Sequence, residues 1–285
     1  MARIRTWEIS DEFWALVEPL LPETRRDPSR TYKRKPGGGR KPIYSDRLYF
    51  EAIVYVLRNG LIWNALPREK FGGLGSSAVH KRFQEWAGAG FFLAIWRKGL
   101  AEYDDLEGIA WEWQSADSTN NKAPLARESV GPNPTDRGKK RGTKRHVLAD
   151  GRGVPLSIVV TGANVHDSKE IDALLAAKVV RQPPESGGEG VIENLCLDAA
   201  YTGKGDIVAA WGYIPHISPR NKEAAEIKRN PEFKARRWVV EANHSWTNRF
   251  RKIDKRYEKA DLSYYALLHL AAGMITLNKV MVIYG

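Results

Sequence analysis

Ile192-Glu193-Asn194-Leu195-Cys196-Leu197-Asp198 is the stretch on which the reading of the whole chain turns. Residues 192–197 form a short apolar run of strand length that follows a Pro/Gly-rich segment, 182–190, and it ends on an acid followed by Ala199-Ala200-Tyr201. Residues 111–119 read as another strand, and Asp117 closes its apolar part before Ser118-Thr119. If these strands lie side by side, their terminal carboxylates converge at one edge of a sheet. Two carboxylates a few ångströms apart repel each other unless a cation sits between them, so the pair calls for a divalent metal. Cys196 falls inside the run and is the only cysteine, which removes any disulfide framework or thiolate zinc site and leaves it as a small buried hydrophobe.

Working outward, residues 144–149 and 154–161 read as strands flanking the turn Asp150-Gly151-Arg152-Gly153, a hairpin pattern. A helix follows over 168–180, then the strand 192–197, a short helix over 206–211, a last strand over 213–217 and a long helix over 238–255. Three strands, then helix, strand, helix, strand and helix is the element order of a ribonuclease H-like fold, an α/β arrangement with a mixed five-stranded sheet. At about 100° per residue, the final helix puts Arg237, Glu241, Ser245, Asn248 and Lys252 on one face. Val239, Ala242, Trp246, Phe250 and Ile253 fall on the other and are expected to pack. Glu241 is thereby offered as a third carboxylate, although a solvated charged face gives the same pattern. An Asp, Asp, Glu set of hard oxygen ligands suits Mg2+, with Mn2+ as a substitute. Two such ions activate a water or a 3′-hydroxyl and stabilise the leaving oxygen of a phosphodiester.

The first third is helical. Ser10 precedes a helix over 11–21 that Pro22 ends, and residues 22–42 are rich in Pro, Gly, Arg and Lys, which reads as an exposed basic linker. Ser45 opens a second helix with the stripe Tyr49, Ala52, Ile53, Val56 and Leu57, stopped by Asn59-Gly60. A third begins at Ser76 or Ser77, with Val79, Phe83 and Trp86 inward and His80, Lys81 and Gln84 outward. Two readings of this pair stand level, a helix-turn-helix reader of DNA and an ordinary helical bundle. The expected division is 1–43 for the first helix and linker, 44–107 for an all-α DNA-binding domain and 108–285 for the catalytic domain.

Lys and Arg outnumber Asp and Glu by 45 to 34, for a net charge of +11. The basic residues cluster in 25–40, 139–145 and 249–256, which implies a polyanionic partner. No apolar run is long enough to span a bilayer and the N-terminus lacks a secretory core, so a cytoplasmic, nucleoid-associated protein with no membrane partner is expected. Lys139, Lys140 and Arg141 with Lys144 and Arg145 read as a phosphate-contacting loop, with a solvated loop as the plain alternative.

Several segments resemble the DDE transposases of bacterial insertion sequences, in particular insertion sequence family 5. They are Gly39-Arg40-Lys41-Pro42, Val56-Leu57-Arg58-Asn59-Gly60-Leu61-Ile62-Trp63, Val79-His80-Lys81-Arg82-Phe83-Gln84-Glu85-Trp86, Asp117-Ser118-Thr119, His166-Asp167-Ser168, Asp198-Ala199-Ala200-Tyr201, Arg237-Trp238-Val239-Val240-Glu241 and Asn248-Arg249-Phe250-Arg251. The resemblance implies a catalytic triad of Asp117, Asp198 and Glu241 that binds the metal, and terminal-inverted-repeat DNA and target DNA as partners. It further implies hydrolytic nicking followed by transesterification, and a homodimer or higher oligomer on DNA. Candidate DNA contacts are Arg40, Lys41, Ser76, Ser77, His80, Lys81, Gln84, Lys139, Lys140, Arg141, Lys144, Arg237, Arg249 and Lys252. Where the broader family carries a Lys after the Glu, this chain has Asn248, with Arg249 beside it as the substitute. Alternatives from the residues alone are a metal-dependent nuclease without transposition and a DNA-binding regulator with a dead catalytic domain. A two-carboxylate glycosidase is remote for so basic a chain.

Overall fold

The computed structural model describes residues 8–23, 31, 33, 35, 42–182, 191–217 and 238–284. Most of the expected basic linker, including Arg40 and Lys41, lies outside these residues, as do most of 182–190 and Arg237.

The local signals of the first third act as read. Helix α1 (Asp11–Val17) is capped by Ser10, whose Oγ accepts from the Phe13 amide at 3.2 Å. Helix α2 (Asp46–Asn59) is capped by Ser45 and ends at Gly60, which has φ +69°. Helix α3 (Ser76–Gly88) buries Val79, Phe83 and Trp86 at the anticipated spacing. The sequence reading does not anticipate the next helix, α4 (Phe91–Glu107), which buries Phe91, Phe92, Ile95, Trp96, Leu100 and Tyr103.

The second half begins with β1 (Trp113–Lys122), the two-residue β2 (Gly131–Pro132), β3 (Arg141–Asp150) and β4 (Pro155–Gly162). There follow α5 (Ile171–Ala176), β5 (Glu193–Leu197), α6 (Gly205–Ala210) and β6 (Tyr213–Ile217). The chain closes with α7 (Trp238–Asn248), α8 (Arg251–Asp254) and α9 (Asp261–Tyr284). The sheet runs β4-β3-β1-β5-β6, with β2 on the end of β3. β3 is antiparallel to both neighbours, while β1, β5 and β6 are mutually parallel. This is the mixed five-stranded sheet expected of a ribonuclease H-like domain, with β2 as a small addition. The hairpin turn is held by Asp150, whose Oδ1 accepts from the amides of Arg152 and Val154 at 2.9 and 2.8 Å.

Two expected helices are shorter. The one expected over 168–180 is a 3-10 turn at Asp167–Lys169 followed by α5. The one expected over 238–255 stops at Asn248, turns at Phe250 (φ −87°, ψ 84°) and restarts as α8.

Helix α9 is apolar almost all round and lies against α4. Their backbones approach closely at two glycines: a Cβ on Gly273 would sit 2.9 Å from Ile95 Cγ2 and 3.1 Å from the Trp96 amide nitrogen, and one on Gly99 3.2 Å from Leu277 Cγ. Helix α4 also reaches the sheet, since Trp96 Nε1 donates to the Pro155 carbonyl at 3.1 Å. One hydrophobic core therefore runs from α1 through α4 and α9 to the sheet. Among the described residues no helix is long and apolar enough to cross a membrane. Gly273→Ala should press a methyl group on the α4 backbone and lower stability by about 1–3 kcal/mol. The check is the urea midpoint of unfolding, and an unchanged midpoint would mean that the contact yields freely.

Candidate active site

The parallel pairing of β1 with β5 ends at Ser115 opposite Cys196. Asp117 and Asp198 each follow two residues later, so they stand level with each other past the last pairing. β1 continues to Lys122 beside β3, with Lys122 also bridging to Lys255, and Asp117 sits within the strand, not at its end. β5 stops at Leu197, and Asp198 turns the chain away, its Oδ1 accepting from the Ala200 amide at 2.9 Å to cap the 3-10 turn Ala199–Tyr201. Glu241 lies exposed in the first turn of α7. Ala116, Asp117, Asp198, Val240 and Glu241 line one cleft of about 10 Å3, room for one water-sized sphere. Three carboxylates and no cationic side chain line it, a donor set that fits a hard divalent cation. Among the described residues, though, no three His, Cys, Asp or Glu side chains converge tightly enough to enclose an ion as they stand.

Of the side chains expected to pack, Val239, Phe250 and Ile253 are buried, and the inward face of α7 also takes in polar residues. Val239, Val240, Asn243, His244 and Thr247 are buried, whereas Ala242 and Trp246 are half-buried. Asn243 is accommodated because its Nδ2 donates to the Gly153 carbonyl at 2.9 Å, and Thr247 because its hydroxyl donates to the Asn243 carbonyl at 2.9 Å. His244 Nε2 stands 4.0 Å from Asp117 Oδ2. Burial, with the charge of Arg145 and then His146 adding to it, holds the His244 pKa down at about 3, so the ring is neutral at physiological pH.

Around this cleft lies a polar layer that includes Lys144 and Arg145, both buried although expected in a phosphate-contacting loop. Arg145 is fully buried, and its Nη2 donates to Asn248 Oδ1 at 3.2 Å. Tyr201 is buried beneath the carboxylates; burial raises its pKa, and Asp167, Asp117 and Asp198 raise it further. Its position three residues after Asp198 is the one signal the sequence offered. Asp167 accepts from Lys144 Nζ and from Ser118 Oγ, each at 2.8 Å. His166 is exposed and caps its own turn.

The remaining candidates scatter. Ser77 and Lys81 are exposed on α3 and Ser76 is half-buried. His80 and Gln84 turn toward a cavity of about 560 Å3 that also touches Lys252, Tyr257 and Ser263. There Gln84 Nε2 donates to Ser263 Oγ at 3.0 Å, and His80 packs on Trp63 with ring centroids 4.9 Å apart. Lys139, Lys140, Arg141 and Arg249 are exposed, and Arg141 also donates to the Ala126 carbonyl. Lys144 is buried, its ammonium held by Asp167 and the Val165 carbonyl. Lys252 does not share a face with Glu241: the break after α7 buries it against Glu258, Nζ to Oε1 3.1 Å, with side-chain exposures of 2% and 4%.

A β4-β3-β1-β5-β6 sheet with the first three strands antiparallel and the others parallel defines a ribonuclease H-like catalytic domain. Residues 114–276 match the family described as "Transposase DDE domain", and residues 9–96 match "Putative transposase of IS4/5 family". A Burkholderia cepacia protein described as a putative transposase for insertion sequence element IS402 is 31% identical over 156 residues, 53% of this chain and 70% of the relative. An uncharacterized 16.2 kDa protein of insertion element IS402 from the same organism is 32% identical over 126 residues, 44% of this chain and 80% of the relative. Among solved structures, the Mos1 mariner paired end complex with Mn overlaps 85% of this chain and 80% of that one at 11% identity and a TM-score of 0.25. A pre-cleavage Mos1 transpososome overlaps the same shares at 10% and 0.28. Overlays that loose carry no weight for the fold, which rests on the strand order and the DDE family match.

The chain belongs to the DDE transposases of insertion sequences. It is a DNA transposase, an enzyme that cleaves DNA and transfers strands, and DDE domains generally use divalent metal ions.

The Lys252–Glu258 pair yields a stability test. Glu258→Gln leaves the Lys252 ammonium buried without its counter-charge, which should lower stability by about 3–5 kcal/mol. Urea unfolding reads this as a fall in midpoint with little change in slope. A midpoint equal to wild type would mean that Lys252 finds another partner or reaches water.

Proposed function

We propose that this transposase acts on the terminal inverted repeats of its own element, and that Asp117, Asp198 and Glu241 hold Mg2+, or Mn2+ in its place, with two ions at the working site. The observation that carries the reading is the single cleft lined by these three carboxylates and by no cationic side chain. Bound there, divalent ions would polarise the phosphodiester and make a water or a 3′-hydroxyl nucleophilic near neutral pH.

The chain's own residues supply placement. Asp117 and Asp198 are fixed by the sheet and by the turn after β5, so their backbones stay put while Glu241, exposed on α7, closes the third side by side-chain rotation. The neutral imidazole of His244 stands behind Asp117 without adding a cation that would compete with the metal. In the first step water attacks phosphorus and the bond to the 3′ oxygen breaks, releasing a 3′-hydroxyl. In the second that hydroxyl attacks a target phosphodiester, so one phosphodiester is exchanged for another.

DNA would lie across the exposed cations. Ser77 and Lys81 on α3, Lys139, Lys140 and Arg141 before and at the start of β3, and Arg249 after α7 are the accessible members of the candidate set. Arg40, Lys41 and Arg237 belong to it on sequence grounds. His80 and Gln84 face the cavity beside Ser263, and a role for them in reading DNA would require a strand to enter there. Because an element has two ends, we propose a homodimer or larger assembly on DNA.

The test is cleavage and strand transfer on a duplex carrying the element's own end. Asp117→Asn, Asp198→Asn and Glu241→Gln should each slow cleavage by about 100-fold or more while repeat binding persists, because an amide keeps the shape of a carboxylate but loses the charge that holds the cation. Asp105→Asn, at an exposed acid of α4, serves as the control and should cleave normally. Activity should appear with Mg2+ or Mn2+ and vanish with a chelator. Normal cleavage by Glu241→Gln would remove the third ligand from that residue.

A further inference from the structure

A second cavity, of about 310 Å3, lies where the end of α2, the corner between α7 and α8, and α9 meet. Arg58, Trp246, Arg249, Phe250, Ile275, Asn278 and Lys279 line it. Three of these side chains are cations and none is an acid. The Arg58 guanidinium stacks 3.9 Å from the centre of the Phe250 ring, and the Lys279 ammonium stands 4.7 Å above the Trp246 ring. Arg58 Nε is buried without a hydrogen-bond partner.

Such a grouping is unfavourable in the unliganded protein. Like charges gathered at a partly desolvated wall repel, and a buried N–H without an acceptor is itself destabilising. The strain registers on Arg58, whose pKa is drawn down to about 10, chiefly by burial and then by the charge of Arg249. The arrangement is nonetheless held rigidly. Gly60, two residues beyond Arg58, lies so close to α8 that a Cβ there would stand 2.9 Å from Arg251 Cβ, and its φ of +69° suits glycine alone. The end of α2 is thus pinned to the α7–α8 corner with Arg58 beside Arg249.

We propose that this cavity takes a backbone phosphate of the bound DNA near the bond being cut. Guanidinium and ammonium groups converging on one point match a phosphate's oxygens, and the Trp246, Phe250 and Ile275 wall offers apolar surface to the attached sugar and base. Trp246 lies on α7 five residues beyond Glu241, about 8 Å along the axis at a rise of about 1.5 Å per residue, and Arg249 follows just past the end of that helix, so the cavity opens roughly 8 Å or a little more from Glu241. That is the span of about two or three nucleotides of one strand at about 3.4 Å each. The inference rests on the reading of Glu241 as catalytic. It adds Arg58 and Lys279, from opposite ends of the sequence, to the exposed Arg249.

The experiment uses the full chain and a duplex carrying the element's end, with affinity measured over a range of salt. Arg58→Gln and Lys279→Gln should each weaken binding and reduce the slope of log affinity against log salt by about 0.9, the amount for one phosphate contact, whereas Arg58→Lys should keep the slope. Thermal unfolding without DNA separates this from a structural role, because removing an unsatisfied cation should leave the midpoint of Arg58→Gln unchanged or raised. An unchanged slope in both glutamine variants overturns the proposal. So does a lowered midpoint in Arg58→Gln with DNA affinity intact, which would make Arg58 a clamp between α2 and α8. Inorganic phosphate is the remaining arm: if it stabilises wild type but not Arg58→Gln while the DNA slope stays constant, the cavity serves a small anion and the DNA assignment falls. Glu241→Gln that cleaves normally while Arg58→Gln still loses slope would instead sink the catalytic reading and leave the phosphate site standing.

Discussion

The parallel pairing of β1 with β5 is the constraint from which the active-site geometry descends. Its last register joins Ser115 to Cys196, and because side chains alternate along a strand, the acids two residues further on emerge from equivalent positions on neighbouring strands. Beyond that register the strands part. β1 runs on beside β3, and β5 gives way to a turn capped by Asp198 itself. The gap so opened is where Glu241 arrives from α7. A shift of one residue in the pairing would send one of the two aspartates to the opposite face and dissolve the cleft.

Helix α7 buries polar side chains beside Val239 and Val240. Asn243 bonds the turn between β3 and β4, Thr247 bonds the helix backbone, and His244 and Arg145 fill the space behind Asp117. Burial keeps the imidazole uncharged, so a polar but neutral ring stands against the Asp117 carboxylate. The catalytic half is in turn braced by the N-terminal half. Helix α9 crosses α4 at paired glycines, and Gly60 at the end of α2 lies directly against Arg251 of α8.

The signals that proved legible in the sequence are those with a local cause. Ser10, Ser45 and Gly60 mark helix ends through cap geometry, the hairpin follows from Asp150 and its glycines, and each apolar run ending in an acid reads as a strand delivering a carboxylate. What escaped was set by tertiary context. α4 and α9 went unread; α9 is apolar nearly all round and presents no stripe, because it is enclosed by the protein. The inward face of α7 is only partly legible, with Val239, Phe250 and Ile253 evident, because Asn243, His244 and Thr247 look like solvent residues until their surroundings are known. Lys144 and Lys252 look like contacts for DNA until Asp167 and Glu258 are seen to engage them.

The central claim is that a divalent ion binds where Asp117, Asp198 and Glu241 meet. Replacing Mg2+ with Fe2+ in the presence of ascorbate and peroxide tests it most directly, since radicals formed at the bound ion sever the polypeptide beside it, and mass spectrometry of the fragments locates the cuts. The account predicts three clusters of cuts, close to residues 117, 198 and 241, all suppressed by excess Mg2+. Magnesium-sensitive cuts confined to other segments, with these three left whole, would contradict it.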